Sequence, residues 1–177
     1  MTESVVAGSG ADPREVTDDI LPPSVDAGVK KLGIRKVTGA NEASTLTRAT
    51  VRGHEAITDE PYTSDQGPTP LETVLIGLVG CEGVIIRRVA DAMEFAYSKV
   101  DIEANGEVDG RGSRGVPGVR PYFNWIELRI RITTPEPVDR LVILQKNVEF
   151  RCPVMNLMRD AGVEVRAKWI LSPEPPS

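Results

Sequence analysis

The most ordered signal along the chain is the apolar run Val74 to Ile86, VLIGLVGCEGVII, which is apolar on nearly every side of a helical wheel. A surface helix keeps one polar face, so the pattern predicts a central, buried helix from Leu71 to about Ala96. Pro70 suits its first turn, Thr69 can cap it, and Glu72 lies near the positive end of the helix dipole. Gly77, Gly80 and Gly83 recur at every third position. Each costs about 1 kcal/mol of helix propensity, an expense that close approach of another backbone would offset.

Two stretches alternate with the period of a half-buried strand. Val100, Ile102 and Ala104 share one face against Lys99, Asp101 and Glu103, and Ile126, Leu128, Ile130 and Ile132 alternate with Glu127, Arg129 and Arg131. Asp109 to Pro121, rich in Gly, Arg and Pro, lies between them as a long hairpin connection or a mobile flap carrying arginines. Shorter β-leaning stretches fall at Leu32 to Val37, Leu46 to Val51 and His54 to Thr58. Pro137 to Val148 reads as an amphipathic helix, and Arg151-Cys152-Pro153 opens another that ends at Gly162. A last strand alternates Val163, Val165, Ala167, Trp169 and Leu171 against polar residues. This order predicts an α+β fold, an antiparallel sheet wrapped around two main helices. The expected division is a flexible N-terminal arm over 1–28, one domain over 29–171 and a disordered tail over 172–177.

Composition narrows the function classes. The 177 residues carry 21 Lys+Arg and 26 Asp+Glu, a net charge of −5, so no basic face is expected to engage nucleic acid. No P-loop or GxGxxG motif supports nucleotide binding. A single histidine and two cysteines without a CxxC exclude a multi-histidine metal site, a zinc cluster or an iron–sulfur site from one chain, so no metal or cofactor is expected. Too few cysteines for a secreted disulfide scaffold, no targeting pattern and no membrane-length apolar run together suggest a cytoplasmic protein.

The chemistry therefore rests on few side chains. Cys152, before Pro153, falls at a helix N-cap, where free backbone N–H groups and the dipole lower a thiol pKa, and Arg151 adds a positive charge; it could equally be a small buried capping residue. Cys81 lies in the buried helix, where a cysteine is commonly inert packing. Gly80 and Gly83 leave space around its sulfur, and Glu82 interrupts the apolar run. Glu72 stands nine residues earlier, about 13.5 Å along the axis, too far to touch Cys81 but able to hold an arginine that does. Arg52 and Arg48, at strand spacing, are the candidates, and the sequence does not choose between them. His54 next to Glu55 has no identifiable partners for a Cys-His hydrolase.

The blocks HEAITDEP (54–61), GPTPLE (67–72), Gly80-Cys81 and RCPV (151–154) together resemble the superfamily of osmotically induced protein C and organic hydroperoxide resistance protein, OsmC/Ohr, over residues 45 to 171. The resemblance implies an intertwined α+β homodimer with buried central helices and a thiol-dependent peroxidase. Cys81 then matches the peroxidatic cysteine and Cys152 the resolving one. An organic hydroperoxide is the substrate, an external dithiol the reductant, and an Arg–Glu pair, here Arg52 and Glu72, steadies the thiolate. The family's acid directly follows the motif proline; in this chain Leu71 takes that place and Glu72 comes one residue later, a turn of about 100° on a helix. The alternative function on the same fold is a non-catalytic homodimer binding a small hydrophobic ligand at its interface.

Overall fold

A computed structural model describes residues 4–7 and 14–173. In chain order the elements are β1 (Ser4–Ala7), β2 (Thr38–Asn41), β3 (Thr47–Val51), β4 (His54–Thr58), α1 (Pro70–Met93), β5 (Lys99–Glu107), β6 (Trp125–Thr133), α2 (Val138–Arg151), α3 (Pro153–Asp160) and β7 (Glu164–Ser172). They form two compact units, Pro23–Gly77 and a larger one made of Met1–Pro22 with Leu78–Ser177.

The larger unit holds a four-stranded sheet in the order β1-β7-β6-β5. β5 pairs antiparallel with β6 over nine residues, from Lys99 opposite Thr133 to Glu107 opposite Trp125. The alternation seen in the sequence becomes a core: Ile126, Leu128, Ile130 and Ile132 are fully buried and the intervening side chains face outward or stay half-exposed. Leu141, Leu144 and Val148 of α2, Met155 of α3, and Leu78, Ile86 and Val89 of α1 join that core.

One strand pair departs from the antiparallel expectation. β7 runs parallel to β6, Trp125 beside Glu164 and Thr133 beside Ser172. The chain must return to the starting edge between them, and α2 and α3 make that crossover. The sheet is therefore mixed within the α+β class, and Ser172, expected in a loose tail, ends β7.

The N-terminal segment also differs from a loose arm where it is described. Leu21 donates its N–H to Asn147 Oδ1 at 2.8 Å and accepts from Arg151 Nη2 at 2.7 Å, Asn147 Nδ2 donates to Asp19 O at 2.8 Å, and Lys146 pairs with Asp19. β1 lies on the outer edge of β7. The rest of the expected arm up to residue 13 lies outside the described residues.

The smaller unit is a three-stranded antiparallel sheet, β2-β3-β4. The stretch Leu32 to Val37 is not a strand; Leu32 and Ile34 are more than nine-tenths exposed, so apolar alternation there found no face to cover. Asp59, fully buried, organises the loop that leads to α1. Its carboxylate accepts from Thr45 Oγ1, Ser64 Oγ, Thr63 Oγ1 and the backbone N–H of Gln66, and the Ser64 and Thr45 bonds hold it well below the usual carboxylate range.

α1 departs from all-round burial. Leu78, Glu82, Ile85, Ile86, Val89 and Ala90 are buried, whereas Ile76 and Val84 are half-exposed or more. Beyond the helix's own adjoining backbone, no atom of the described residues lies within 4 Å of a Cβ built on Gly77, Gly80 or Gly83. The close approach expected over these glycines is therefore not made among the described residues. The helix ends at Met93, a turn before Ala96, because Glu94 adopts a left-handed φ of 51°.

A candidate cysteine pair at the break between the crossover helices

The site is built where α2 breaks into α3. Cys152 is both the C-cap of α2 and the N-cap of α3. Pro153, which lacks an N–H, takes the first position of α3 and forces the residue before it out of helical geometry; Cys152 has φ −70° and ψ 109°. Its own N–H still reaches Val148 O at 2.9 Å, and its Sγ accepts from the Met155 N–H at 3.4 Å. The Cys152 Sγ also lies 3.5 Å from Cys81 Sγ on α1, across 71 residues of sequence. The two sulfurs are free thiols, Cys152 fully buried and Cys81 partly accessible.

The N-cap does not lower the Cys152 pKa as the sequence suggests. Burial pushes the thiol far up, and the charge of Glu82 pushes it further; the Met155 N–H opposes them and loses. Arg151 is not among the groups that act on the thiol; its guanidinium points to Asn147 Oδ1 and Leu21 O.

Glu82, which the sequence marked only as an interruption, is fully buried. Neither of its carboxyl oxygens is in hydrogen-bond geometry with a partner among the described residues. Burial raises its pKa from an ordinary 4.5 to about 7; the neighbouring Cys152 thiol and Arg159 pull it down, and Glu149 pushes it up. Glu149 is the contrasting case. It is buried but receives Arg159 Nη2 at 2.8 Å, Gln145 Nε2 at 3.0 Å and Trp169 Nε1 at 3.2 Å. Sequence reasoning missed Glu149; its signal is the i, i+4, i+8 spacing Leu141–Gln145–Glu149 beside the inward stripe of α2.

Of the other expected site residues, Glu72 belongs to a reciprocal cap. Its Oε2 accepts from the Thr69 N–H at 2.7 Å, while its own N–H donates to Thr69 Oγ1 at 3.2 Å. Arg52 is not on a strand face with Arg48. It occupies the two-residue turn between β3 and β4, with φ 50° ahead of Gly53 at φ 80°, as hairpins of this length require. Arg48, on β3, is exposed, as is His54 at the start of β4. Among the described residues no group of His, Cys, Asp or Glu could hold a metal, and no helix is long and apolar enough to cross a membrane.

A mixed sheet whose crossover helices bring one cysteine against another on a third helix defines an α+β protein with a dithiol centre. The family description "OsmC-like protein" matches residues 63–168, more than half of the sequence. The chain belongs to the OsmC-like family. Its fold is similar to the crystal structure of an OsmC-like protein from Mycoplasma pneumoniae, with TM-score 0.70, 19% identity, and coverage of 78% of this chain and 97% of that one. An organic hydroperoxide resistance protein OsmC from Legionella pneumophila gives TM-score 0.60 at 18% identity, covering 81% and 99%. The organic hydroperoxide resistance protein OhrB of Bacillus subtilis gives 0.57 at 16%, covering 78% and 99%. At these identities the likeness is one of fold. Among curated proteins none matches the chain.

Proposed function

We propose that this protein is a thiol-dependent peroxidase that reduces organic hydroperoxides to alcohols. The observation that carries the reading is the 3.5 Å contact between a partly accessible sulfur and a fully buried one. The accessible Cys81 thiolate attacks the hydroperoxide O–O bond, the alcohol leaves, and the sulfur becomes a sulfenic acid. Cys152 then condenses with it, forming the Cys81–Cys152 disulfide and water. Closing a disulfide needs about 2.05 Å between sulfurs, so little movement is required. An external dithiol resets the pair. Glu72 is engaged in the α1 cap and Arg52 shapes the β3–β4 turn.

The protein acts as a homodimer in this reading. The open space over Gly77, Gly80 and Gly83 and the half-exposed Val84 leave a face of α1 suited to a second helix. The OsmC and OhrB neighbours named for organic hydroperoxide resistance support the choice of substrate class.

Mass-spectrometric mapping after exposure of the reduced protein to cumene hydroperoxide tests the proposal. The wild type is expected to yield an 81–152 disulfide and Cys152→Ser a trapped Cys81 sulfenate, with no oxidation product at Cys152 in Cys81→Ser. Peroxide consumption no greater than that of the double-serine variant would sink it.

A further inference from the structure

We propose that Glu82 is the proton acceptor for the Cys152 thiol when that thiol attacks the oxidised Cys81. The inference rests on the peroxidase reading for its oxidant but on the geometry of the dithiol for its chemistry.

Cys152 is held as a thiol by burial and by the Glu82 charge, and a thiol is a poor nucleophile beside its thiolate. The sulfur is fully buried, so its proton must go to a group inside the protein. Four buried side-chain oxygens have no hydrogen-bond partner among the described residues: both of Glu82, Gln145 Oε1 and Asn156 Oδ1. The last two are amide oxygens and far too weakly basic. Glu149, the other buried carboxylate that acts on this site, is saturated by Arg159, Gln145 and Trp169. Glu82 is left, adjacent in sequence to one sulfur and interacting with the thiol of the other.

The groups that act on its protonation are the Cys152 thiol at the α2–α3 junction, Glu149 on α2 and Arg159 on α3, with burial the largest influence. Their balance brings the carboxyl close to neutrality, where a general base works best. The step balances as follows. The Cys152 S–H bond breaks and its proton passes to a Glu82 oxygen. The thiolate forms a bond to the Cys81 sulfur as the S–O bond of the sulfenic acid breaks. The departing hydroxide takes the proton from Glu82 and leaves as water. Cys152 is oxidised, the sulfenic sulfur is reduced, and Glu82 returns to its starting state.

A small neutral disulfide, 4,4′-dithiodipyridine, tests the step without any peroxide. Cys81, the accessible thiol, releases a first thiopyridone on forming a mixed disulfide, and Cys152 releases a second by resolving it. In the wild type the second release should rise with pH through a midpoint near 7. In Glu82→Gln it should slow by about tenfold or more relative to the first release of the same variant and lose that midpoint. An identical second release and pH profile in Glu82→Gln would overturn the proposal. Because the variant could perturb folding, the wild-type protein gives a second reading. Its infrared spectrum should show a protonated carboxyl band that disappears as pH rises through 7, and absence of that band below pH 7 would also overturn the assignment. If peroxide is not consumed while the second release behaves as expected, the peroxidase reading falls and the Glu82 assignment stands.

Discussion

A buried carboxyl without a hydrogen-bond partner makes a stability prediction that needs no assumption about substrate. Glu82 titrates near 4.5 in the unfolded chain and at about 7 in the folded one. A folded-state pKa raised in this way means stability is fully present below the unfolded value. It is lost as pH rises from about 4.5 to 7 and is constant above that. The gap corresponds to about 1 kcal/mol of lost stability near pH 5 and about 3 kcal/mol near pH 8. Glu82→Gln keeps the shape and removes the ionisation. The variant should therefore gain about 1 kcal/mol on the wild type near pH 5 and about 3 kcal/mol near pH 8, the latter a rise in Tm of about 6–12 °C for a chain of this size. Thermal or urea unfolding of both proteins at the two pH values, with excess reductant to keep the thiols free, measures the difference; titrating groups that do not interact with Glu82 cancel in the comparison. A stability gap between variant and wild type that does not change from pH 5 to pH 8 would refute the reasoning.

Three further outcomes are expected. Arg159→Leu strips the buried cation from Glu149, which keeps only Gln145 and Trp169 as donors; urea unfolding should show a loss of about 2–4 kcal/mol, partly restored by adding Glu149→Gln. Thr69→Ala breaks the cap shared with Glu72 and should cost about 1 kcal/mol in the same assay. Asp59, whose pKa is held down first by Ser64 and then by Thr45, contributes stability that is full above its ordinary value near 3.8 and is lost as pH falls below it. Asp59→Asn should speed amide hydrogen exchange over residues 59 to 66 at neutral pH.

The parts of this fold that are legible in the sequence are those set by local rules. Alternation over 126–132 places four side chains in the core. Thr69, Pro70 and Glu72 mark the start of α1, and Cys152-Pro153 marks the break that starts α3. What escapes is decided by partners far along the chain. The direction of β7 beside β6 depends on how the crossover docks. Arg151 looked like a charge for its neighbour Cys152, yet it is committed to Leu21, 130 residues away. Leu32 and Ile34 carry strand chemistry but no surface to cover. Within the site, both cysteines were visible from the sequence, while Glu82 and Glu149 become interpretable only when burial and donors are known: two buried acids, one held by three nitrogen donors and one with the Cys152 thiol acting on it.

That contrast explains why the dithiol can work inside a low-dielectric core. Creating a thiolate on a fully buried sulfur would ordinarily add an uncompensated charge, at a cost of several kcal/mol. Transfer of the Cys152 proton to Glu82 adds none, because the negative charge moves from a carboxylate to a sulfur and the pocket's total is unchanged. The repulsion that holds Cys152 as a thiol at rest vanishes in the same event, since the protonated Glu82 no longer opposes the thiolate. The Met155 N–H at the start of α3 is too weak to ionise Cys152 against burial. Once the proton has gone, it faces a charged acceptor, for which such a bond is roughly twice as strong. The helix break at Cys152-Pro153 thus supplies what an uninterrupted helix could not: a sulfur with a free backbone donor on one side and a second sulfur 3.5 Å away on the other.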